Sequence, residues 1–327
     1  MAMKLIRFRL ALKGSWRTPW QADTLTGALA AVAARMYGAS WVEQELLAPW
    51  REAVPPFVLS DACPGDLLPA PALLSLLDAW PEEARKQVKK AAWLTRKQFA
   101  DVQAGRPPRL PELVSPEAGF APEDTVFQPK VRFRNSLDRL TDTTANTGSL
   151  FSVGTRVLAK GVSNLSLYAR IAPGTESLLR SLLASLGEAG FGADAAIGFG
   201  HFSLAEGWDD ASWLDEVEGA NGWVSLSTFQ PAPTDSTVGY WQSLVKYGKL
   251  GPDFGVEDVF KRPQWMLRPG ACFRRDDQPR DWYGRLIETN EMLAAKAVSE
   301  LAAQGVRPVH PAFALAVPMK WTMEHEG

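Results

Sequence analysis

An α+β fold is predicted for this chain by three observations: a period-two stretch at its start, amphipathic stretches with helical spacing, and the order in which the two alternate. Met3–Leu12 (MKLIRFRLAL) interleaves basic and apolar side chains, as a half-buried strand does. Lys13–Gln21 is a turn rich in Gly, Pro and Trp, after which Asp23 or Thr24 is placed to cap a helix running to Gly38. A helical region follows at about 73–103, punctuated by Pro81 and read as an insertion over about 71–104. Pro107, Pro108, Pro111, Pro116 and Pro122 make 105–124 an irregular connection. Val126–Arg134 is strand-like, and Asn135–Ser152 is a polar excursion dense in Thr, Ser, Asn and Asp. Asn164–Ile171 alternates as a strand, Glu176–Leu186 is a short amphipathic helix, and a glycine-dense stretch leads into a strand at Ile197–Leu204.

Strand, helix, strands, helix, strand is the split βαβ order of a ferredoxin-like unit. The acidic segment 205–220 reads as a linker. Beyond it, Trp223–Phe229 looks like a new first strand and Ser236–Tyr247 a helix. Gln264–Arg274 and Trp282–Glu288 are strand candidates, Glu291–Ala303 a helix and Ala312–Val317 a last strand. A second, degenerate copy of the unit is the economical reading, on element order alone. Domains are therefore expected at 1–205 and 221–327.

Charge is segregated although the formal net charge is only −2. Residues 84–109 hold eight Lys/Arg against Asp101, and 126–170 hold seven against Asp138 and Asp142, whereas Glu206–Glu218 holds six acids and no base. Such segregation suits an anionic partner on one face, although solvated helix faces would account for 84–109 equally well. Cys63 and Cys272 lack any CxxC spacing, which fits a reducing cytosol and argues against a structural zinc site. The apolar run Ala28–Ala34 ends at Arg35, too short to span a membrane, and the charged start (Lys4, Arg7, Arg9) is unlike a signal peptide. A cytoplasmic protein is expected.

The stretch GFGADAAIGFGHF (190–202) has four glycines in eleven positions. As a dinucleotide loop it fails: the third glycine is replaced by Ala195, and a helix precedes while a strand follows, the reverse of the required order. No P-loop pattern occurs. The histidines are His201, His310 and His325. His201 could in principle deprotonate a ribose hydroxyl, though a histidine there more often bonds to backbone. No catalytic residue, cofactor or metal site is expected. RNA binding has separate physical support. Glycines let a ribose-phosphate chain approach main-chain N–H groups. The turn Ser15-Trp16-Arg17-Thr18-Pro19-Trp20 supplies aromatic faces, hydroxyls and a cation beside the start of a helix at Asp23–Thr24. The excursion VRFRNSLDRLTDTTANTGSLFS joins Arg132, Arg134 and Arg139 to Asn, Ser and Thr and ends near Phe151, equipment suited to single-stranded RNA. A solvated surface loop has the same composition.

Taken in order, MKLIRFRL, TPWQADTLTGAL, PPFVLSDACP, FRNSLDRLTDTTANTGSLFS, the glycine stretch with LLASLGEAG before it, VSLSTFQP, KYGKLG, FKRPQWMLRPGACF and ALAVP make the sequence resemble the subunit-four family of the Csm complex. That complex is the type III-A CRISPR effector, and the family is a Cas5-like branch of the RAMP superfamily. The resemblance implies two ferredoxin-like (RRM-like, RAMP) domains with a β-hairpin thumb at about 126–160. It also implies a non-catalytic subunit that grips the repeat-derived 5′ tag of the crRNA and joins the large polymerase-like subunit to the backbone RAMP filament, meeting target RNA only indirectly. Carried over to this chain, the RNA-binding residues would be Gly190, Phe191, Gly192, Ala193, Gly198, Phe199 and Gly200 in the glycine stretch. Arg132, Arg134, Asn135, Ser136, Arg139, Thr141, Thr143, Thr144 and Phe151 would belong to the thumb, and Ser15, Trp16, Thr18 and Thr24 to the groove wall. Lys246, Tyr247, Lys249, Lys261 and Arg262 match second-half segments of the family that would meet RNA or a protein. The segments 84–109 and 289–309 have no counterpart in it. A CRISPR repeat-RNA endonuclease and the equivalent subunit of the type III-B Cmr complex share the architecture and stand as alternatives.

Overall fold

The computed structural model describes residues 3–77, 80–111, 115, 117–135, 137–138, 143–144, 150–251, 254–275 and 279–323. The first half runs β1 (Lys4–Leu12), α1 (Ala22–Tyr37), β2 (Phe57–Leu59), α2 (Glu82–Lys90), α3 (Arg96–Gln103), β3 (Phe127–Asn135), β4 (Leu150–Leu158), β5 (Leu165–Ile171), α4 (Glu176–Ala189) and β6 (Phe202–Leu204). Strand β1 buries Leu5, Ile6, Phe8 and Leu10 and leaves Lys4 and Arg9 exposed. It pairs antiparallel with β5 from Lys4↔Ile171 to Leu10↔Leu165, and with β6 on its other edge. With β2 added to β5, the sheet order is β6-β1-β5-β2. Helix α1 buries Leu25, Leu29, Val32 and Ala33, and α4 buries Leu179, Leu182, Leu183 and Leu186. Both sets follow the 3.6-residue period, so each helix sets one apolar stripe against the core. Each buried leucine contributes roughly 1.5–3 kcal/mol.

The expected helix near 73–103 is interrupted. Ala72–Leu76 forms a 3₁₀ turn, α2 follows Pro81, and Trp93–Leu94 pairs as a strand before α3. A capping box between Thr95 and Gln98 starts α3. Strands β3 and β4 pair over nine positions, from Phe127↔Leu158 to Asn135↔Leu150, and form an exposed hairpin about 30 Å long. The strand expected from Ile197 begins only at Phe202, because Ala195–Ile197 turns as a 3₁₀ helix between residues of positive φ.

The acidic segment 205–220 is not a free linker. Asp209–Asp210 pairs with β1, and the Asp209 carboxylate accepts from Arg7 Nη2 (2.7 Å) and Arg9 Nε (2.8 Å). Asp215 accepts twice from Arg170, which is 4% exposed and also donates to the Ala316 carbonyl in the other half. Two of the six acids, Asp209 and Asp215, thus pair with arginines of the first sheet.

The second half contains β7 (Gly222–Ser225), β8 (Gly239–Tyr240), β9 (Ser243–Lys246), β10 (Gln264–Leu267), β11 (Cys272–Arg274), β12 (Trp282–Ile287), α5 (Ala295–Ala303) and β13 (His310–Met319). Its sheet order is β8-β11-β7-β13-β12, and β9 pairs with β10 as a separate hairpin. The helix expected over Ser236–Tyr247 is β8 and β9: Val238, Tyr240, Trp241 and Val245 favour a pleated surface. The strand expected over Gln264–Arg274 is divided at Pro269-Gly270, where Gly270 turns with φ +88°. This order does not repeat that of the first sheet. Here β12 and β13 lie side by side and antiparallel, with Thr289–Met292 and α5 between them in sequence.

Two buried carboxylates at the start of α1 join the halves. Asp23 does not cap the helix; the residue before it, Gln21, makes no side-chain cap, and Asp61 accepts from the Ala22 N–H instead (2.8 Å). Asp61 also accepts from the N–H and Oγ1 of Thr228 (2.7 and 2.6 Å). Burial pushes Asp61 up to about 6, opposed by the Thr228 and Ala22 donors. Asp23 takes Lys246 Nζ (2.5 Å) and lies 2.8 Å from His310 Nε2, a contact outside hydrogen-bonding geometry. Burial alone would raise Asp23, but Lys246 and His310 hold it well below the carboxylate range. Lys261 Nζ lies 3.0 Å from His310 Nδ1, and burial lowers this lysine to about 8.

Replacing Asp23 by Ala would strand Lys246 without its buried counter-charge. Urea unfolding of Asp23→Ala should show a loss of about 3–5 kcal/mol, and a loss below about 1 kcal/mol would contradict the role given to this pair. Asp61 carries an opposite pH signature. An acid whose pKa is higher folded than unfolded favours the fold below the unfolded value, and that contribution is lost as pH rises through the folded value. Between about pH 4 and about pH 7, wild-type stability should fall relative to Asp61→Asn by up to about 3 kcal/mol. Parallel pH profiles would refute it.

Candidate nucleic-acid interface

Helix α4 ends at Gly190, whose N–H returns to the Leu186 carbonyl, and the chain then loops back to β6. The loop is tied to the turn after β1: Gly200 N–H donates to Ser15 O (3.0 Å), Ala193 N–H to Thr18 Oγ1 (2.9 Å), and Lys13 N–H to His201 O (2.9 Å). Across its own neck, Phe191 N–H donates to Gly200 O (3.0 Å). The Phe191 ring is buried against Trp20 at 4.6 Å. His201 Nε2 lies 3.0 Å from the Ala195 carbonyl.

These contacts divide the glycines. A Cβ on Gly200 would sit 2.1 Å from the Phe191 carbonyl oxygen, one on Gly192 2.4 Å from Thr18, and one on Gly190 2.8 Å from the His201 ring. The neighbour these three require is the protein's own chain. Gly198 has φ +95° and open space where a Cβ would lie. Asp194 adopts the left-handed region without being glycine, at φ +65°.

Asp194 is also the electrostatic centre of the loop. Its carboxylate accepts from Arg17 Nη1 (2.7 Å) in the turn and lies 2.9 Å from Arg134 Nη1 on the hairpin. Arg17, then Arg134, lowers its pKa. Arg132 and Arg134 lie over the Phe199 ring, 5.2 and 5.1 Å from its centre, within cation–π range. Reciprocal backbone bonds between Trp16 and Arg156 fasten the turn to β4. Turn, glycine loop and hairpin therefore meet where Arg17 and Arg134 share one carboxylate and Arg132 and Arg134 share the face of Phe199. Arg17 was legible only as a cation in the turn; Asp194 was missed, although an acid inside a glycine-dense stretch is the signal that could have marked it.

Other expected residues divide among several places. Ser15 and Trp16 are buried, and the Trp16 ring packs edge-on against Phe127 at 5.7 Å, so neither offers a stacking face. Thr24 Oγ1 and Lys246 bond to each other (2.6 Å) beside Asp23, which makes both part of the structural cluster. Lys261 is likewise turned inward to His310. Phe191 and Phe199 are core residues, Phe199 presenting only its face to arginine. Asn135, Thr143, Thr144 and Phe151 are exposed on the hairpin, together with Phe133 at 72%, an aromatic the sequence reading passed over. Tyr247 (78% exposed), Lys249 and Arg262 lie beside the β9–β10 hairpin, apart from the glycine loop in the chain's topology. Ser136, Arg139, Thr141 and His325 fall outside the described residues. Among the described residues, no group of three or more His, Cys, Asp or Glu could hold a metal ion. No helix there is long and apolar enough to cross a membrane.

The contrast between two glycines is testable. Gly200→Ala should destabilise the loop against Phe191 and Ser15, whereas Gly198→Ala should cost only about 1–2 kcal/mol of left-handed strain. Amide exchange of the 190–201 segment should rise clearly in the first variant and little in the second; equal effects would contradict the assignment.

No protein-family model matches the chain, and no curated protein matches it. Solved structures match along its whole length. A chain of the Csm1–Csm4 cassette in complex with pppApA superposes with a TM-score of 0.62 at 18% identity, over 99% of this chain and 100% of that one. A chain of the same cassette with cA4 gives 0.62 and 18%, over 98% and 100%. A chain of the Csm3–Csm4 subcomplex of the type III-A CRISPR-Cas interference complex gives 0.60 and 12%, again over 98% and 100%. Csm4 is the component these assemblies share, so the chain has a Csm4-like fold.

Proposed function

We propose that this chain is a non-catalytic RNA-binding subunit of a type III-A CRISPR effector, seated at the 5′ tag of the crRNA. The observation that carries the reading is the convergence of Arg17, Arg132 and Arg134 on Phe199 and Asp194, where a long exposed hairpin meets a glycine loop. Guanidinium groups already held in place lose little freedom on meeting phosphate. Exposed Phe133 and Phe151 add faces on which unpaired bases can stack. The full-length likeness to chains of Csm1–Csm4 and Csm3–Csm4 assemblies supports a subunit that joins a large subunit to a backbone subunit in antiviral defence in the cytosol.

In this reading residues 1–205 form a ferredoxin-like RAMP domain, supported by the β6-β1-β5-β2 order with all neighbours antiparallel. Residues 221–327 form a second domain that has lost the first crossover helix. The absence of catalysis is proposed on chemical grounds. His201 is engaged by a backbone carbonyl, and His310 is buried between Asp23 and Lys261 with its pKa lowered by burial. Neither is placed as a general base toward the glycine loop.

RNA affinity should fall with salt, with a log–log slope of about −0.7 per phosphate engaged. In fluorescence-anisotropy titrations against single-stranded repeat RNA, the double variant Arg132→Ala/Arg134→Ala should flatten that slope by about 1.4. An unchanged slope would remove the hairpin from the RNA path. Metal-independent cleavage of repeat RNA, abolished by His201→Ala, would replace this reading with that of a repeat endonuclease.

A further inference from the structure

The outer face of the β9–β10 hairpin is a row of uncovered rings. Pairing of Val245 with Trp265 and of Lys246 with Gln264 fixes which side chains share a face. Lys246, Gln264 and Met266 turn inward, Lys246 to Asp23 and Met266 into a core with Ile287 and Met292. The alternate residues face out: Val245 is 52% and Trp265 46% exposed. A bridge between Lys249 and Phe260 continues the hairpin, and there Tyr247 and Phe260 are 78% and 70% exposed. None of the Tyr247, Phe260 and Trp265 rings stacks on another ring among the described residues, whereas Trp241, at the foot of the hairpin, lies flat on Phe273 at 5.5 Å. Open aromatic surface of this extent marks a place where something docks.

Charge decides what docks. Residues 239–250 and 260–275, which build both strands, hold Lys246, Lys249, Lys261, Arg262, Arg268, Arg274 and Arg275 and no acid. Lys246 and Lys261 serve the buried cluster. Lys249, Arg262 and Arg268 are exposed, and none of them forms an ion pair among the described residues. Arg262 Nη1 reaches the Asn290 carbonyl (3.4 Å). Lys249 stands across the ladder from Phe260, and Arg262 lies between Phe260 and Trp265 in the chain. A protein-docking core is built otherwise: charge is depleted there, lysine included, and confined to a rim. Cations interleaved with open rings form a platform for single-stranded nucleic acid, bases on the rings and backbone on the cations. From Trp265 to Phe260 the row covers about 15 Å of strand. Sheets that read RNA stack two or three bases on aromatics set out in this way. We infer that the outer face of the β9–β10 hairpin is a second RNA contact, taking unpaired nucleotides on Tyr247, Phe260 and Trp265. The inference rests on the RNA-binding reading and extends it to the second half of the chain.

The test follows binding of short single-stranded repeat RNA to the full chain by fluorescence anisotropy over a range of salt. Tyr247→Ala/Phe260→Ala should weaken binding about thirty-fold, the worth of two stacked bases. Its salt slope should match wild type, because rings engage no phosphate, whereas Lys249→Ala should flatten the slope by about 0.7. Tyr247→Leu/Phe260→Leu keeps the row apolar but removes its π faces, so it should lose as much affinity as the alanine pair. Affinity within two-fold of wild type in the alanine pair would overturn the inference. So would full affinity in the leucine pair, which would mark the row as an apolar face for a protein. In either case, RNA binding that still responds to Arg132→Ala/Arg134→Ala would leave the proposed function standing. Loss in both the alanine and leucine pairs, with no response to Arg132→Ala/Arg134→Ala, would keep this contact and take the RNA path off the first hairpin.

Discussion

Two carboxylates buried at the first turn of α1 hold the two halves of this molecule in one arrangement. Burying a charge costs several kcal/mol unless it is matched. Asp61 is matched by the first N–H of α1 and by both donors of Thr228, and Asp23 by Lys246 beside His310. In each case one partner or more comes from the second half. The helix start attracts negative charge, so both acids sit where the fold already favours them. Because neither can be solvated without separating the halves, α1 and the second sheet keep a fixed register. The turn after β1 leads directly into α1, and it carries ties to both the glycine loop and the hairpin.

The glycine loop inverts the expectation attached to glycine-rich segments. Gly190, Gly192 and Gly200 spend their freedom on contact with His201, Thr18 and Phe191. The loop is thereby a rigid platform. What it displays is side-chain chemistry, Asp194 and the face of Phe199, on which three arginines from two other elements are arranged. Half-exposed ion pairs of this kind contribute about 0–1 kcal/mol to stability. Their worth lies in holding the guanidinium groups at fixed spacing where an exposed hairpin meets the loop.

Legibility in the sequence followed the locality of the cause. Strands β1 and β3 and helices α1 and α4 were readable because their periodicity lies within each segment, as does the Gly38 stop of α1, whereas β4 and its pairing with β3 came only from the family resemblance. The helix expected over Ser236–Tyr247 failed because its β-forming residues acquire their meaning from pairing with Cys272 and Phe273 and with the strand Gln264–Leu267. Likewise no local pattern announces that an acid 39 residues away supplies the missing cap of α1. Lys246 and Lys261 read as surface cations because their partners, Asp23 and His310, are remote in sequence. The thumb arginines were found from composition, whereas Asp194 stood out in sequence only as an acid among glycines, and its pairing with Arg17 and Arg134 emerges once three segments are brought together.

The same topology ties the candidate interface to the start of α1. The nine-residue turn 13–21 contributes contacts from Ser15, Arg17 and Thr18 to the glycine loop and buries Trp16 and Trp20 in the core. Its backbone is fixed at both ends, by β1 and by the Asp61-capped α1, and pinned in the middle by the Trp16–Arg156 pair. Such a segment has little freedom left to lose when a ligand arrives, so binding energy on either side is not consumed in ordering it. Trp20 makes the connection to the core directly, packing on Phe191 of the glycine loop. The position of the arginine cluster is therefore set, through this turn, by the buried carboxylates, so the geometry of the candidate interface is a property of how the two halves are locked, more than of any one loop.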